Sequence, residues 1–189
     1  MIDEVLQYIV ADLNQYFRVR FGLNENIVVL SGLVNIDGTP ALQQDNKVVV
    51  TMLNIEQEKV IATQGNYQVS GDRSSKVNPP VYLNVYLLFA GYFPGSNYAE
   101  ALKFVSGVIG YFQGNVTISK PDASGLPEGV DKLVFDLQKF TYQDLSHIWG
   151  MLGSKHMPSV GYKMRLLMID NKQIREQIPI AKEVAPQLG

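Results

Sequence analysis

His147 and His156 are the only two histidines in a chain that has no cysteine. Zinc sites draw on closely spaced Cys, His, Asp and Glu, and a helical pair of histidine ligands stands four residues apart. His147 and His156 lack that spacing, and no HExxH surrounds either one. They read as surface histidines, His147 on a helix and His156 in a loop. Glu56 and Glu58 alternate onto one face of an expected strand. Paired carboxylates can hold a metal or move protons, but no histidine, aspartate or third acid stands near them in sequence. The pair reads as a solvated strand end, with a small metal-dependent enzyme as the alternative. The glycines form neither GxGxxG nor GxxxxGK[ST], and no serine sits in a GxSxG elbow. Trp149, at helical spacing, reads as a core or interface anchor. No catalytic, cofactor or metal site is expected.

Composition narrows the classes further. The chain has 189 residues, 46% of them hydrophobic and 18% charged, which suits one globular domain with an extension. A net charge of −2 offers no general electrostatic case for nucleic acid or an anionic membrane. Without cysteine there is no disulfide and no thiol chemistry. Asp3 and Glu4 stand where a signal peptide would carry lysine or arginine. The apolar run at 81–90 falls well short of the roughly 20 residues a spanning helix needs. Folding in the cytoplasm is the expectation, and the Asn115-Val116-Thr117 sequon has no meaning there.

The elements follow from periodicity. Ile2, Val5, Leu6, Ile9, Val10, Leu13, Tyr16 and Phe17 recur at helical spacing, so residues 2–18 form an amphipathic helix. Residues 27–30 form a short strand. Residues 48–58 form a second, apolar at its start and acidic at its end. Residues 63–80 are polar and loop-like, an excursion long enough for a binding role. Residues 81–90 are apolar at both alternating sets of positions, the signature of an interior strand covered on both faces. Asn97 and Glu100 form a capping box for the helix that follows. That helix carries Leu102, Val105, Ile109 and Phe112 on one stripe, with Ala101, Phe104, Val108 and Tyr111 beside it.

After a weak strand at 116–118 comes a half-buried one at 132–137, with Leu133, Phe135 and Leu137 on one face. Thr141 and Asp144 cap a short third helix that ends at Gly153. Residues 159–169 form the last strand. From 171 onward Ile174, Ile178, Ile180 and Val184 are scattered among charges, and Pro179 and Pro186 block a long helix. The expected architecture is α/β (α+β). A single compact domain at 1–170 holds a mixed, mostly antiparallel sheet with an N-terminal, a central and a short third helix. Residues 171–189 form a C-terminal extension, either frayed or an interaction arm that orders against another subunit.

Seven segments in order carry a resemblance. They are residues 5–17 (VLQYIVADLNQYF), 53–58 (LNIEQE), 79–90 (PPVYLNVYLLFA), 98–102 (YAEAL), 109–113 (IGYFQ), 145–153 (LSHIWGMLG) and 157–165 (MPSVGYKMR). Their order and spacing resemble the tail terminator, or cap, proteins of phage-tail-like contractile injection systems, over roughly residues 1–170. The resemblance implies a structural protein with no catalytic residues. It would form a ring, of six copies in such systems, at the baseplate-distal tip, ending the inner tube and the contractile sheath of a particle that can leave the cell. Its partners would be other copies of itself, the sheath protein and the inner tube protein, without nucleic acid or membrane insertion. Tail subunits commonly join by adding a strand to a neighbour's sheet. The candidate interface residues are therefore Leu53, Asn54, Ile55, Glu56 and Glu58 on the strand edge and Ile174, Ile178 and Ile180 in the arm, either of which could meet the sheath. A different class of reading is an adaptor that binds an effector or anchor through the 63–80 loop.

Overall fold

The structure is a computed structural model that describes residues 2–58, 67–70, 73–76, 82–120, 123, 125–168 and 176–179. Its first element, α1 (Ile2–Phe21), runs a turn beyond the expected end. Phe21 causes the extension: its ring packs edge-on against Phe17 and Phe104, each at 5.4 Å. Gly22 then stops the helix at φ +66°, a left-handed conformation glycine adopts without strain, and its N–H donates to Arg18 O at 2.9 Å. Val5, Ile9, Leu13 and Phe17 are fully buried on one stripe.

Next come β1 (Val28–Leu30), β2 (Lys47–Gln57), β3 (Tyr67–Ser70), β4 (Arg73–Lys76) and β5 (Tyr82–Tyr92). They are followed by α2 (Tyr98–Gly114), β6 (Thr117–Ser119), β7 (Val130–Gln138), α3 (Tyr142–Met151), β8 (Ser159–Met168) and β9 (Glu176–Pro179). Six strands form the main sheet in the order β1-β2-β5-β8-β7-β6. Only β1 and β2 run parallel; every other pair is antiparallel. The mixed, mostly antiparallel α+β expectation holds.

β5 lies inside the sheet, between β2 and β8, and is covered on both faces as its sequence demands. Val85, Leu87 and Phe89 point into the larger cluster, built with α1 and α2. Leu88 and Ala90 point into a smaller one with Leu33, Val49 and Trp149 of α3. Aromatic rings fill the larger cluster. Phe112 of α2 stands 4.4 Å from Phe135, 4.5 Å from Tyr162 and 5.4 Å from Phe89, centroid to centroid. Burying one such side chain stabilises the fold by about 1.5–3 kcal/mol.

Several local expectations give way to packing. α2 turns Phe104, Val108 and Tyr111 inward and leaves Leu102 and Ile109 exposed, because α1 packs against the first set. Asn97 stands at the N-cap but makes no cap bond. A 3-10 turn at Gly95–Asn97 leads into the helix, and the Asn97 amide instead donates to Asn46 Oδ1 at 3.0 Å. The expected capping box with Glu100 is therefore replaced by a bridge to the β1–β2 connection. Leu137 is exposed because β6 pairs only with Lys132 to Val134, while the helices cover Leu133 and Phe135. The capping box of Thr141 and Asp144 is present as expected. Its backbone and hydroxyl donors hold the Asp144 carboxyl below the usual carboxylate range.

The polar excursion is not simply a loop. β3 and β4 form an antiparallel hairpin within it, and β9 pairs with β4, giving a three-stranded sheet in the order β3-β4-β9. Residues 59–66, 71–72, 77–81, 169–175 and 180–189, with candidates Ile174 and Ile180, lie outside the described residues.

Candidate subunit interface

The interface candidates on β2 owe their position to how the strand is paired. At its start β2 is enclosed. Val48, Val49 and Val50 are fully buried, and β1 runs alongside, pairing Val28, Val29 and Leu30 with them in turn. Three residues of parallel strand are a weak ladder, and α1 reinforces it through Asn14. The Asn14 Oδ1 accepts the N–H groups of Ile27 and Val28, each at 2.9 Å. Its Nδ2 donates to Val28 O at 2.8 Å and Val10 O at 2.9 Å. A buried side-chain amide with four partners acts as an extra rung of sheet. Lys47 is anchored as well, its ammonium donating to Glu25 at 3.0 Å and to Asn26 O at 2.8 Å.

The β1 ladder ends at Ser31, whose N–H donates to Val50 O at 3.2 Å and whose carbonyl accepts from the Thr51 hydroxyl at 2.6 Å. Beyond that point no described strand runs along the outer side of β2, although β2 continues to Gln57 against β5. The phase of its backbone groups can be read directly. Glu58 N donates inward to Tyr82 O at 2.9 Å, so by alternation Ile55 and Gln57 direct their N–H and C=O outward. Val48 N donates outward to Ile27 O, which gives Met52 the same outward phase. A bulge at Leu53 reconciles the two halves. The result is an open hydrogen-bonding edge at residues 52–57.

An apolar strip lies beside that edge. Leu30, Met52 and Ile55 are 39%, 43% and 38% exposed. Their cross-strand neighbours Val50, Leu87 and Val85 belong to the larger core, so all three sit on the helix-covered face at its margin. Leu53 turns the other way and packs against the Trp149 cluster.

On the opposite face the same stretch is polar. Glu56 accepts from the Tyr86 hydroxyl at 2.9 Å and from the Asn54 amide at 3.2 Å. That bond to the carboxylate is the main reason the Tyr86 phenol is pushed above its ordinary value. Across the sheet Arg165 pairs with Asp136 at 3.2 Å, and Lys163 reaches the same carboxylate at 3.9 Å. Glu58 lines an open cleft of about 300 Å³ with Tyr82, Thr117, Lys132, Val134 and Arg165.

Of the sequence-derived candidates, Leu53, Asn54, Ile55, Glu56 and Glu58 therefore share one strand end. Ile178 lies in β9, opposite Ser74 of β4. Leu30 and Met52 were not expected at this edge; their signal is an apolar residue at the last position of a short strand and one just before a bulge. His147 and His156 are exposed, and the His156 ring meets Trp149 edge-on at 5.6 Å. Among the described residues, no three His, Cys, Asp or Glu side chains gather where they could hold a metal ion. No helix among them is long and apolar enough to cross a membrane.

This fold is similar to that of two solved terminator caps. The chain is similar over its whole length to the sheath/tube terminator of the extracellular contractile injection system PVC, in its extended state. The TM-score is 0.68 at 17% identity. It is similar over 95% of its length to the tube-terminating cap of the anti-feeding prophage, with a TM-score of 0.61 at 14% identity. It spans 63% and 60% of those two chains. A family model, the Pvc16 N-terminal domain, matches residues 4–183, and the chain belongs to that family. No curated protein matches it by sequence.

Proposed function

We propose that this chain is a structural cap that ends the growth of the inner tube and the sheath of a contractile injection system. It would act as a ring of identical copies, six in number, at the tip far from the baseplate. Assembly would take place in the cytoplasm, on a particle that can then be released. Membership of the Pvc16 N-terminal domain family across residues 4–183 is the observation that carries this reading. The fold's likeness to two terminator caps supports it.

Physical chemistry accommodates the role. A cap needs one surface that matches the last layer of a polymer and none that repeats it, and a ring needs head-to-tail contacts whose rotation closes. A strand edge that is open among the described residues, beside an apolar strip, is a directional contact of that kind. Leu53, Asn54, Ile55, Glu56 and Glu58 on that edge, or Ile174, Ile178 and Ile180 of the arm, are the candidate contacts with the sheath.

Electron microscopy of tails assembled with and without the chain tests the role. The expected result is a sixfold ring at one tip when the chain is present, and tubes and sheaths of irregular length when it is absent. Tails of normal length and stability without it would reject the cap reading.

A further inference from the structure

We propose that the open half of β2 pairs with β6 of a neighbouring copy, so that the six-stranded sheet continues from one subunit into the next. The contact rests on the cap reading, and it gives the β2 edge to the ring rather than to the sheath.

The strand registers set the two edges level. Glu56 pairs with Asn84, Asn84 with Arg165, Arg165 with Val134, and Val134 with Thr117. Glu56 and Thr117 therefore end one row that crosses the main sheet from β2 to β6. A second copy set alongside in the same orientation, without sliding, places its Glu56 beside Thr117. A joint with no slide along the strands is the simplest kind that closes into a ring instead of climbing as a helix.

The backbone groups on the two edges match. On β2, Ile55 and Gln57 direct N–H and C=O outward. On β6, Val116 O accepts from Phe135 N at 2.9 Å and Lys120 N donates to Asp131 O at 3.0 Å, so both residues face β7. By alternation Ile118 faces β7 too, and Thr117 directs its N–H and C=O outward. Among the described residues, no strand runs along either of these edges. Every pair from β2 through β5, β8 and β7 to β6 is antiparallel, so β2 and β6 run the same way. They pair in parallel: Thr117 N–H donates to the Ile55 carbonyl, and Gln57 N–H donates to the Thr117 carbonyl.

The side chains fit the same joint. Val116 stands two residues before the buried Ile118, so it shares the helix-covered face with Ile55, and the two exposed apolar side chains fall together. On the polar face the exposed Thr117 falls beside Glu56, where its hydroxyl can donate to the carboxylate. Lys132, opposite Ser119, falls one strand from Glu58 of the neighbour.

Other edges of a second copy fit less well. The outward N–H and C=O of Val28 in β1 are both taken by Asn14 of α1. Two β2 edges laid together would set Glu56 and Glu58 against the same acids, a destabilising like-charge contact. The β2–β6 contact is heterologous, so it propagates from copy to copy until the ring closes.

The test exploits the absence of cysteine from the full-length chain. The double variant Glu56→Cys with Thr117→Cys should form disulfides between copies under mild copper-phenanthroline oxidation. Within one copy three strands stand between the two positions, too far for a bridge. Non-reducing gels should show a ladder of covalent multimers for the double variant. An equal mixture of the two single variants should give dimers and nothing larger. Gln57→Pro removes one outward N–H and costs β2 no bond to β5. Analytical ultracentrifugation should show its self-association weakened by about tenfold or more. Circular dichroism and thermal melting confirm that each variant is folded; Thr117→Pro, which removes the facing donor, replaces Gln57→Pro if that variant is not.

A folded double variant that stays monomeric on the gel overturns the contact, as does a single-cysteine variant that bridges to itself. Wild-type association in the folded proline variant overturns it as well. If wild-type rings still cap tails in those cases, the cap reading survives. Wild-type protein that neither associates nor binds tail ends removes the cap reading itself.

Discussion

The two halves of β2 are one continuous strand with opposite fates. Residues 47–50 are buried, with 48–50 paired on both sides, and are held further by Asn14 and by the Lys47 ammonium. Residues 52–57 are, among the described residues, paired on one side only, half exposed, and lined with Met52, Ile55 and Glu56. The same backbone is enclosed first and then, among the described residues, leaves an edge open, and the bulge at Leu53 marks the change. Substitutions should divide accordingly: those acting on the enclosed half lower stability, and those on the open half leave it intact.

The largest effect is expected where β5 backs the enclosed half. Phe89 pairs with Val50, is fully buried, and meets Phe112 and Tyr162 edge-on. Phe89→Ala leaves a cavity among aromatic rings and should cost about 3–5 kcal/mol in chemical denaturation. A cost below about 1 kcal/mol would show that the clusters can collapse around the gap, and the division of β2 would lose its basis.

Asn14→Ala comes next. It leaves the N–H groups of Ile27 and Val28 and the Val28 carbonyl short of partners in a buried site. An unsatisfied buried group costs about 1–3 kcal/mol, so a loss of about 2–4 kcal/mol is expected in a denaturant melt. Amide exchange should accelerate first in β1, because β1 has only three rungs of its own. Uniform acceleration across the whole sheet would mean that Asn14 is not a local clamp.

Much of the fold was legible in the sequence where one physical signal dominated. β5 announced itself through apolar residues at both alternating positions, and α3 through Thr141 and Asp144 three residues apart. The signals failed where tertiary contacts chose between equal local options. Both stripes of α2 are apolar, and only the packing of α1 decides that Phe104 faces inward and Leu102 outward. Asn97 looks like a cap until Asn46 competes for its amide. Asn14 carries no sequence signal of its role, since a polar residue on an apolar stripe reads as a flaw until its partners 13 and 14 residues onward are known. The strand edge at 53–58 was legible as an acidic, half-apolar strand end. Its openness was not, because pairing beyond Ser31 depends on where β1 leaves the sheet. Residues 63–80 read as loop for want of apolar alternation; the hairpin of β3 and β4, and the pairing of β4 with β9 far along the chain, have no local signature.

Gly161 sharpens the comparison from the far side of β5. It pairs with Leu88, and the Phe140 ring lies across it so closely that an added Cβ would stand 2.4 Å from the ring. Gly161→Ala must displace Phe140 from the smaller cluster and should cost about 1–3 kcal/mol. Thermal melting measures the cost. An unchanged melting temperature would indicate that Phe140 gives way freely and does not seal the sheet's second face.

The smallest effect is expected on the open half itself. Glu56 is exposed and bonded only to Asn54 and Tyr86 among the described residues, so Glu56→Gln should change stability by no more than about 0.5 kcal/mol. Its signature lies in Tyr86 instead. The carboxylate raises the folded-state pKa of that phenol above its unfolded value, so the bond contributes fully below the ordinary tyrosine range of about 10 and fades as pH rises through it. With glutamine at position 56 the negative acceptor is gone, and the titration of Tyr86 should move back down toward that range. Carbon-13 NMR of ζ-labelled tyrosine, assigned with a Tyr86→Phe control, follows the phenol directly. A Tyr86 titration unmoved by Glu56→Gln would show that the carboxylate does not hold the phenol.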